Sequence, residues 1–107
     1  MNSKNEASNK RKARTGGATV VFPLGNVGAT PGALDLLDRT GTNAAIFLDR
    51  HQCGDFGTVG AEDAQANRDA IKDGNRILST YSIGGARLWI ITEADLSGTT
   101  LLLPEEY

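Results

Sequence analysis

The chain has 107 residues, 39% of them hydrophobic, and a formal net charge of −2. A chain of this length supports one hydrophobic core, which excludes a catalytic domain joined to a regulatory one. One Cys and one His exclude an internal disulfide and a structural zinc site, and we expect neither a metal nor a cofactor. No apolar run approaches the ~18 residues that span a membrane, and no signal-peptide pattern is present, so we expect a cytoplasmic protein without membrane contact.

The charge is divided unevenly along the chain. Residues 1–17 carry a formal charge of +4, whereas the remaining residues carry −6. We expect a flexible basic arm over residues 1–17, because it holds no large apolar residue after Met1, and a single domain over residues 18–107. The arm either contacts phosphate backbones without sequence preference or serves only as a solubilising tail. Its basic side chains are Lys4, Lys10, Arg11, Lys12 and Arg14.

The first part of the domain predicts a short strand and a helix. Thr19–Pro23 is β-branched and aromatic, which favours a strand, and a glycine-spaced loop follows at Gly25–Ala29. The segment Gly25–Gly32, between this strand and the helix that follows, could hold an anion on backbone N–H groups, or could be only a turn before a capped helix. Thr30 as N-cap and Pro31 as the first residue predict a helix to about Arg39. We place three of its apolar residues on one face: Ala33, Leu34 and Leu37.

Two further helices follow. The second is capped by Thr42, ends near Gly54 and has one apolar stripe made of Ala44, Phe47, Leu48 and His51. The third covers about Ala61 to Asp73 and ends at Gly74. Its apolar stripe is thin, so we expect it to pack at the periphery.

The last third predicts antiparallel strands. Arg76–Ile83 and Ala86–Glu93 flank a two-residue Gly84-Gly85 turn, and Thr99–Leu103 forms another strand. The predicted fold class is therefore α+β, with a short N-terminal strand, three helices and a C-terminal antiparallel β-meander packed on the helices.

The two-residue turn fixes a register and separates the two faces of the hairpin. It pairs Tyr81 with Leu88 on a mostly apolar face, which we expect to meet the helices. The opposite face mixes an indole with charged side chains, as expected of an interaction surface or of a face covered by other elements. We take four residues of that face as the predicted binding surface: Arg76, Arg87, Trp89 and Glu93.

An alternative hypothesis is a metal-independent ribonuclease. His51, Tyr81 and Arg87 could supply the base, the acid and the phosphate-binding cation that such an enzyme needs. The register weakens this hypothesis because Tyr81 and Arg87 point to opposite faces. His51 lies on an apolar helical stripe, which is more typical of a structural histidine than of a catalytic one.

Several sequence strings resemble an uncharacterised family of small bacterial proteins from plasmids and integrative elements. The resemblance covers residues 24 to 107, and one departure is Leu96, where the family carries arginine. Family members are often labelled as subunit M of a type I restriction endonuclease, although this chain has no methyltransferase motif. The resemblance implies an association with mobile genetic elements and no known reaction. The matching strings include Gly28-Ala29-Thr30-Pro31-Gly32-Ala33-Leu34, Arg50-His51, Gly54-Asp55-Phe56-Gly57, Trp89-Ile90-Ile91-Thr92-Glu93-Ala94-Asp95 and Leu102-Leu103-Pro104-Glu105-Glu106-Tyr107.

Together these observations favour a small non-enzymatic accessory protein of a mobile genetic element. We expect it to bind a protein or nucleic-acid partner, encoded by the host or by the element, in defence or counter-defence of the anti-restriction or anti-CRISPR type. The ribonuclease-like toxin is the alternative, with His51, Tyr81 and Arg87 as its catalytic residues.

Overall fold

The computed structural model describes residues 19–107. Its elements are β1 (Asn26–Ala29), α1 (Pro31–Arg39), α2 (Ala44–Gln52), α3 (Ala61–Asp73), β2 (Ile77–Ile83), β3 (Ala86–Thr92), β4 (Gly98–Leu102) and a terminal 3-10 turn (Pro104–Glu106). The fold is α+β, as predicted, with three helices and a four-stranded sheet. The basic arm and its five cationic side chains lie outside the described residues.

The sheet is mixed, and here the prediction was partly wrong. The strand order is β1-β4-β3-β2, and β1 runs parallel to β4 while the other neighbours are antiparallel. The predicted strand at Thr19–Pro23 is irregular, and the segment predicted as a loop supplies β1 instead. The reason lies in tertiary contacts. The Phe22 side chain is buried in the core, and the edge of β4 has backbone groups that pair with Asn26–Ala29. The backbone N–H groups of Asn26 and Thr30 donate to Ser97 and Leu101 along that edge.

The hairpin register is confirmed. Tyr81 pairs with Leu88 and Thr80 with Trp89, and the turn residues Gly84 and Gly85 both have positive φ. Seven side chains on one face of β2 and β3 are buried, and we call this the covered face: Ile77, Ser79, Tyr81, Ile83, Leu88, Ile90 and Thr92. The opposite side, which we call the open face, carries Leu78, Thr80, Ser82, Arg87, Trp89 and Ile91.

The first two helices pack on the covered face. α1 begins as predicted, since the Thr30 hydroxyl accepts from the Ala33 N–H at 3.2 Å. Its buried face differs from the prediction, because Leu36 is 1% exposed whereas Leu34 is 56% exposed. α2 is capped by Asn43 rather than Thr42, because the Asn43 side chain accepts from the Ala45 N–H at 2.9 Å.

The third helix lies at the edge of the sheet. α3 has the predicted bounds and ends at Gly74 in the left-handed conformation. Its Asn67 amide donates to the Leu78 carbonyl at 2.7 Å and accepts from the Leu78 N–H at 3.0 Å. A side chain thereby occupies backbone groups on the outer edge of β2 that would otherwise be free to pair with another strand.

The core has two clusters of buried side chains. The larger cluster lies between the sheet and the first two helices and includes Leu36, Tyr81 and Leu88. The second contains Phe22, Phe56, Ala70 and Ile77. Leu96, at the position where the resembled family carries arginine, packs against this second cluster with a positive φ of 61°.

Candidate binding groove

A groove of about 260 Å³ lies on the open face of the sheet. Its floor comes from alternate residues of neighbouring strands, Leu78 on β2 and Trp89 and Ile91 on β3. Arg76 and Tyr107 complete the lining. The groove therefore combines two aromatic rings, two aliphatic side chains and one guanidinium.

Polar and aromatic contacts hold the walls of this groove. The rings of Trp89 and Tyr107 meet edge to face with centroids 5.6 Å apart. The Arg76 guanidinium donates to the Tyr107 hydroxyl at 2.8 Å and lies 5.8 Å from the centre of that ring. Arg76 also pairs with Glu93, at 3.5 Å between Nε and Oε1. The cation at the groove is thus compensated by a carboxylate of the same face.

The C-terminal residues are anchored by Glu106. Its carboxylate accepts from the Leu103 N–H at 2.8 Å, from the Gly32 N–H at 3.0 Å and from the Thr30 hydroxyl. The hydrogen bond from Thr30 is the main cause that holds the pKa of Glu106 below its usual range. Gly32 leaves room for this contact, since a Cβ there would lie 2.5 Å from Glu106 Oε2. The anchor places the next residue, Tyr107, against Trp89.

The contact between Glu106 and Gly32 bears on the predicted anion site at the start of α1. The backbone N–H of Gly32 points at an anion, as the sequence allowed. The anion is the protein's own Glu106 carboxylate. In this structure the capped helix end is therefore satisfied from within the chain.

The structure brings together three of the four residues of the predicted binding surface. Arg76 and Trp89 line the groove, and Glu93 is ion-paired with Arg76 on the same face, as the hairpin register indicated. Arg87 lies on the same face but nearer the hairpin turn, paired in register with Ser82, and it does not line the groove. Tyr107 was missed, because its contact with Trp89 follows from the Glu106 anchor and leaves no local pattern in the sequence.

His51 lies in a polar network inside the core. The side chain is 0% exposed, and its Nδ1 and Nε2 lie 2.6 Å from Ser79 Oγ and 2.8 Å from Thr92 Oγ1. Thr92 Oγ1 lies 2.8 Å from Thr99 Oγ1, whose hydroxyl donates to the Leu24 carbonyl at 2.7 Å. Four hydrogen bonds thus join α2, three strands and the segment before β1.

The directions of these hydrogen bonds follow from counting protons. Thr99 uses its only hydroxyl proton on Leu24, so Thr92 must donate to Thr99. Thr92 therefore accepts from His51 Nε2–H. Burial lowers the pKa of His51 to about 4, so the imidazole is neutral near pH 7. In the neutral ring Nδ1 carries no proton, and it accepts from the Ser79 hydroxyl.

Arg50 and Asp55, from two of the strings that carry the family resemblance, hold a loop against the sheet. Arg50 Nε donates to Asp55 Oδ2 at 2.7 Å, and its guanidinium lies 4.7 Å from the Tyr81 ring centre. The Tyr81 hydroxyl donates to the Asp55 carbonyl at 2.6 Å. The hydrogen bond from Arg50 lowers the pKa of the Asp55 carboxyl, and burial raises the pKa of Tyr81 to about 12. These contacts hold the loop around Asp55 against the sheet.

The three residues of the ribonuclease hypothesis do not share a cleft. His51 and Tyr81 are 0% and 1% exposed and lie on the covered face. Arg87 is exposed on the open face, on the other side of the sheet. A phosphate bound by Arg87 would be separated by the sheet from both the imidazole and the phenol.

Among residues 19–107, no three side chains of His, Cys, Asp and Glu are grouped so that they could hold a metal ion. Within the same range, every helix is too short or too polar to cross a bilayer.

Comparison with known protein families, with curated proteins and with solved structures finds no match to this chain. The resemblance to the plasmid-borne family therefore stays a prediction from the sequence strings.

Proposed function

We propose that this chain is a non-enzymatic binding protein that engages a partner protein through the groove on the open face of its sheet. The observation that carries the proposal is the groove itself. Trp89, Ile91 and Leu78 form an apolar floor, with Tyr107 and Arg76 at its sides. Aromatic side chains and arginine at such a depression are the residue types that dominate the binding energy of protein interfaces.

The size of the groove supports a protein partner over a small cofactor. Pockets for small molecules usually measure about 300–1,000 Å³. This groove, at about 260 Å³, lies below that range. It suits one large apolar side chain that is inserted from a partner surface, with polar contacts around it.

The position of the only histidine also supports binding over acid–base catalysis. A general base must reach its substrate directly or through one water molecule. His51 is fully buried, and both of its ring nitrogens are engaged by hydroxyl groups. The ribonuclease alternative would require this network to open.

For the biological setting we propose an accessory role in a mobile genetic element, in defence or counter-defence. This part of the proposal rests on the sequence resemblance, and an acidic domain of this size is chemically suited to it. A negatively charged surface can compete with nucleic acid for a positively charged site on a nuclease.

The binding proposal can be tested with a neutral peptide. We would titrate the ¹⁵N-labelled full-length protein with the peptide Ac-Gly-Ser-Phe-Ser-Gly-NH₂ and follow amide shifts. We expect shifts at Leu78, Trp89 and Ile91, which Tyr107→Ala should weaken. Leu34→Ala is the matched control, because Leu34 is an exposed apolar side chain on a helix. Shifts confined to the helices, or none at millimolar peptide, would overturn the proposal.

The toxin alternative is tested by induced expression. Growth arrest that Arg87→Ala relieves would favour the ribonuclease. His51→Ala is a poor probe here, because removal of a buried network member would disrupt folding as well as any chemistry.

A further inference from the structure

We infer that the partner surface docking on this groove is basic, with lysine and arginine side chains around one large apolar anchor. This inference rests on the proposed function and adds the chemistry of the partner. Two features support it: the net negative charge of residues 19–107 and the ion pairs that already engage three of their six cations.

The domain is strongly acidic. Residues 19–107 carry twelve Asp and Glu side chains against six Lys and Arg side chains. Three of the six cations, Arg39, Arg50 and Arg76, are ion-paired with carboxylates of the same chain. The net formal charge of residues 19–107 is therefore −6, and a positively charged partner surface associates faster with a negatively charged domain.

The cation that lines the groove is ion-paired as well. The positive charge of Arg76 is compensated by the Glu93 carboxylate. Glu105 is exposed and lies two residues before Tyr107, which lines the groove. Arg87 lies near the hairpin turn and does not line the groove. We therefore expect the partner surface to be neutral or acidic where it faces Arg87 and basic elsewhere.

The other possible occupants fit less well. Nucleic acid brings one negative charge for each phosphate, which the acidic domain repels. A second copy of the domain would oppose like charges. The chain's own basic arm has the right charge, but it carries no large apolar side chain after Met1 to fill the groove.

The test uses a charge series of peptides and the only tryptophan of the chain, Trp89, as reporter. The peptides are Ac-Lys-Lys-Gly-Phe-Gly-Lys-Lys-NH₂, its Glu counterpart, its Ser counterpart, and the Lys peptide with Ala in place of Phe. With full-length protein, we expect the Lys–Phe peptide to change Trp89 fluorescence at a concentration at least about tenfold lower than the Glu–Phe peptide needs. We also expect its affinity to fall with added salt, and the Ala peptide to lose most of the effect.

Two charge variants outside the groove lining sharpen the test. Glu105→Lys should weaken binding of the Lys–Phe peptide, and Arg87→Glu should strengthen it, each by about two- to threefold. Neither change should alter binding of the neutral Ser–Phe peptide. Leu34→Ala again serves as the control for general surface changes.

The outcomes separate the two proposals. Equal affinity for the Lys, Ser and Glu peptides would overturn the basic partner and leave the groove as a binding site. Failure of every peptide would overturn both proposals. Tighter binding of a dT₁₂ oligonucleotide that displaces the peptide would overturn the basic partner in favour of nucleic acid. Concentration-dependent dimerisation that blocks the peptide would overturn it in favour of a second copy.

Discussion

At the scale of single residues, two threonines of the sheet differ in whether their hydroxyl groups have partners. Thr92 Oγ1 is bonded on both sides in the buried network, whereas the buried Thr80 Oγ1 has no partner among the described residues. A buried hydroxyl without a hydrogen bond costs free energy, whereas one inside a network contributes to stability. The same chemical change at the two positions should therefore have opposite effects.

We expect Thr80→Val to raise the free energy of unfolding by about 1 kcal/mol and Thr92→Val to lower it by about 1–3 kcal/mol. Valine keeps the β-branched shape in both cases, so packing is matched. The measurement is urea unfolding at neutral pH, followed by circular dichroism. Destabilisation by both substitutions would show that Thr80 has a partner that the geometry does not reveal.

At the scale of elements, the predictable parts are those specified by neighbouring residues. The β2–β3 hairpin is fixed by a two-residue turn and an alternating pattern, so its register could be predicted pair by pair. β1 could not be predicted, because Asn26–Ala29 has a loop-like composition and becomes a strand only through the edge of β4. Phe22 lies in a segment whose β-branched and aromatic composition predicts a strand, but its side chain packs in the second core cluster.

The loop that contains Gly57 illustrates a contact between distant segments. Gly57 pairs with Thr80 at the edge of β2 with a φ of 76°, and a Cβ would lie 2.0 Å from the Thr80 carbonyl oxygen. Gly54 in the same loop has a φ of 87° and open space around it. We expect Gly54→Ala to cost about 1–2 kcal/mol for the left-handed backbone alone, and Gly57→Ala to cost clearly more. Thermal unfolding measures both, and equal losses would show that the loop can move off the strand.

The C-terminal 3-10 turn is an element held by one side chain. We expect Glu106→Gln to speed hydrogen exchange of the Leu103 amide and to shift Trp89 fluorescence, because the charge facing the start of α1 is lost and Tyr107 is held less firmly. Glu105→Gln, one residue earlier and exposed, is the control and should change neither signal. If both variants behave alike, the anchor does not position Tyr107.

At the scale of the whole molecule, the part of the candidate site that lies on the hairpin was predictable, and the part that the C-terminus supplies was not. The hairpin register places Trp89, Arg76 and Glu93 on one face, and this much follows from local pattern. The fourth predicted residue, Arg87, shares the face without reaching the groove. Tyr107 reaches it only because Glu106 binds the start of α1, which depends on contacts across more than 70 residues of chain. The groove therefore forms only when the two ends of the described domain are in contact.

The buried histidine couples the stability of the whole molecule to pH. The pKa of His51 falls from 6.5 to about 4 on folding, because burial disfavours the charged imidazole. Between these values the unfolded chain binds a proton that the folded chain does not, so the free energy of unfolding falls as the pH falls. The stabilisation is fully present above pH 6.5, and about 3 kcal/mol of it is lost by pH 4. Carboxyls with lowered pKa values, such as Asp55, lose their contribution only near and below their ordinary values.

We therefore expect the free energy of unfolding to fall between pH 7 and pH 5 with a slope that grows toward one proton as the pH approaches 5, measured by urea titration. Because His51 is the only histidine, its imidazole NMR signals give its folded-state pKa directly, with an expected value near 4. His51→Leu should remove the slope whatever its effect on stability. A folded-state pKa near 6.5, or a flat stability profile from pH 7 to pH 5, would show that the imidazole is open to water. That result would again support the hypothesis that His51 acts as a general acid or base.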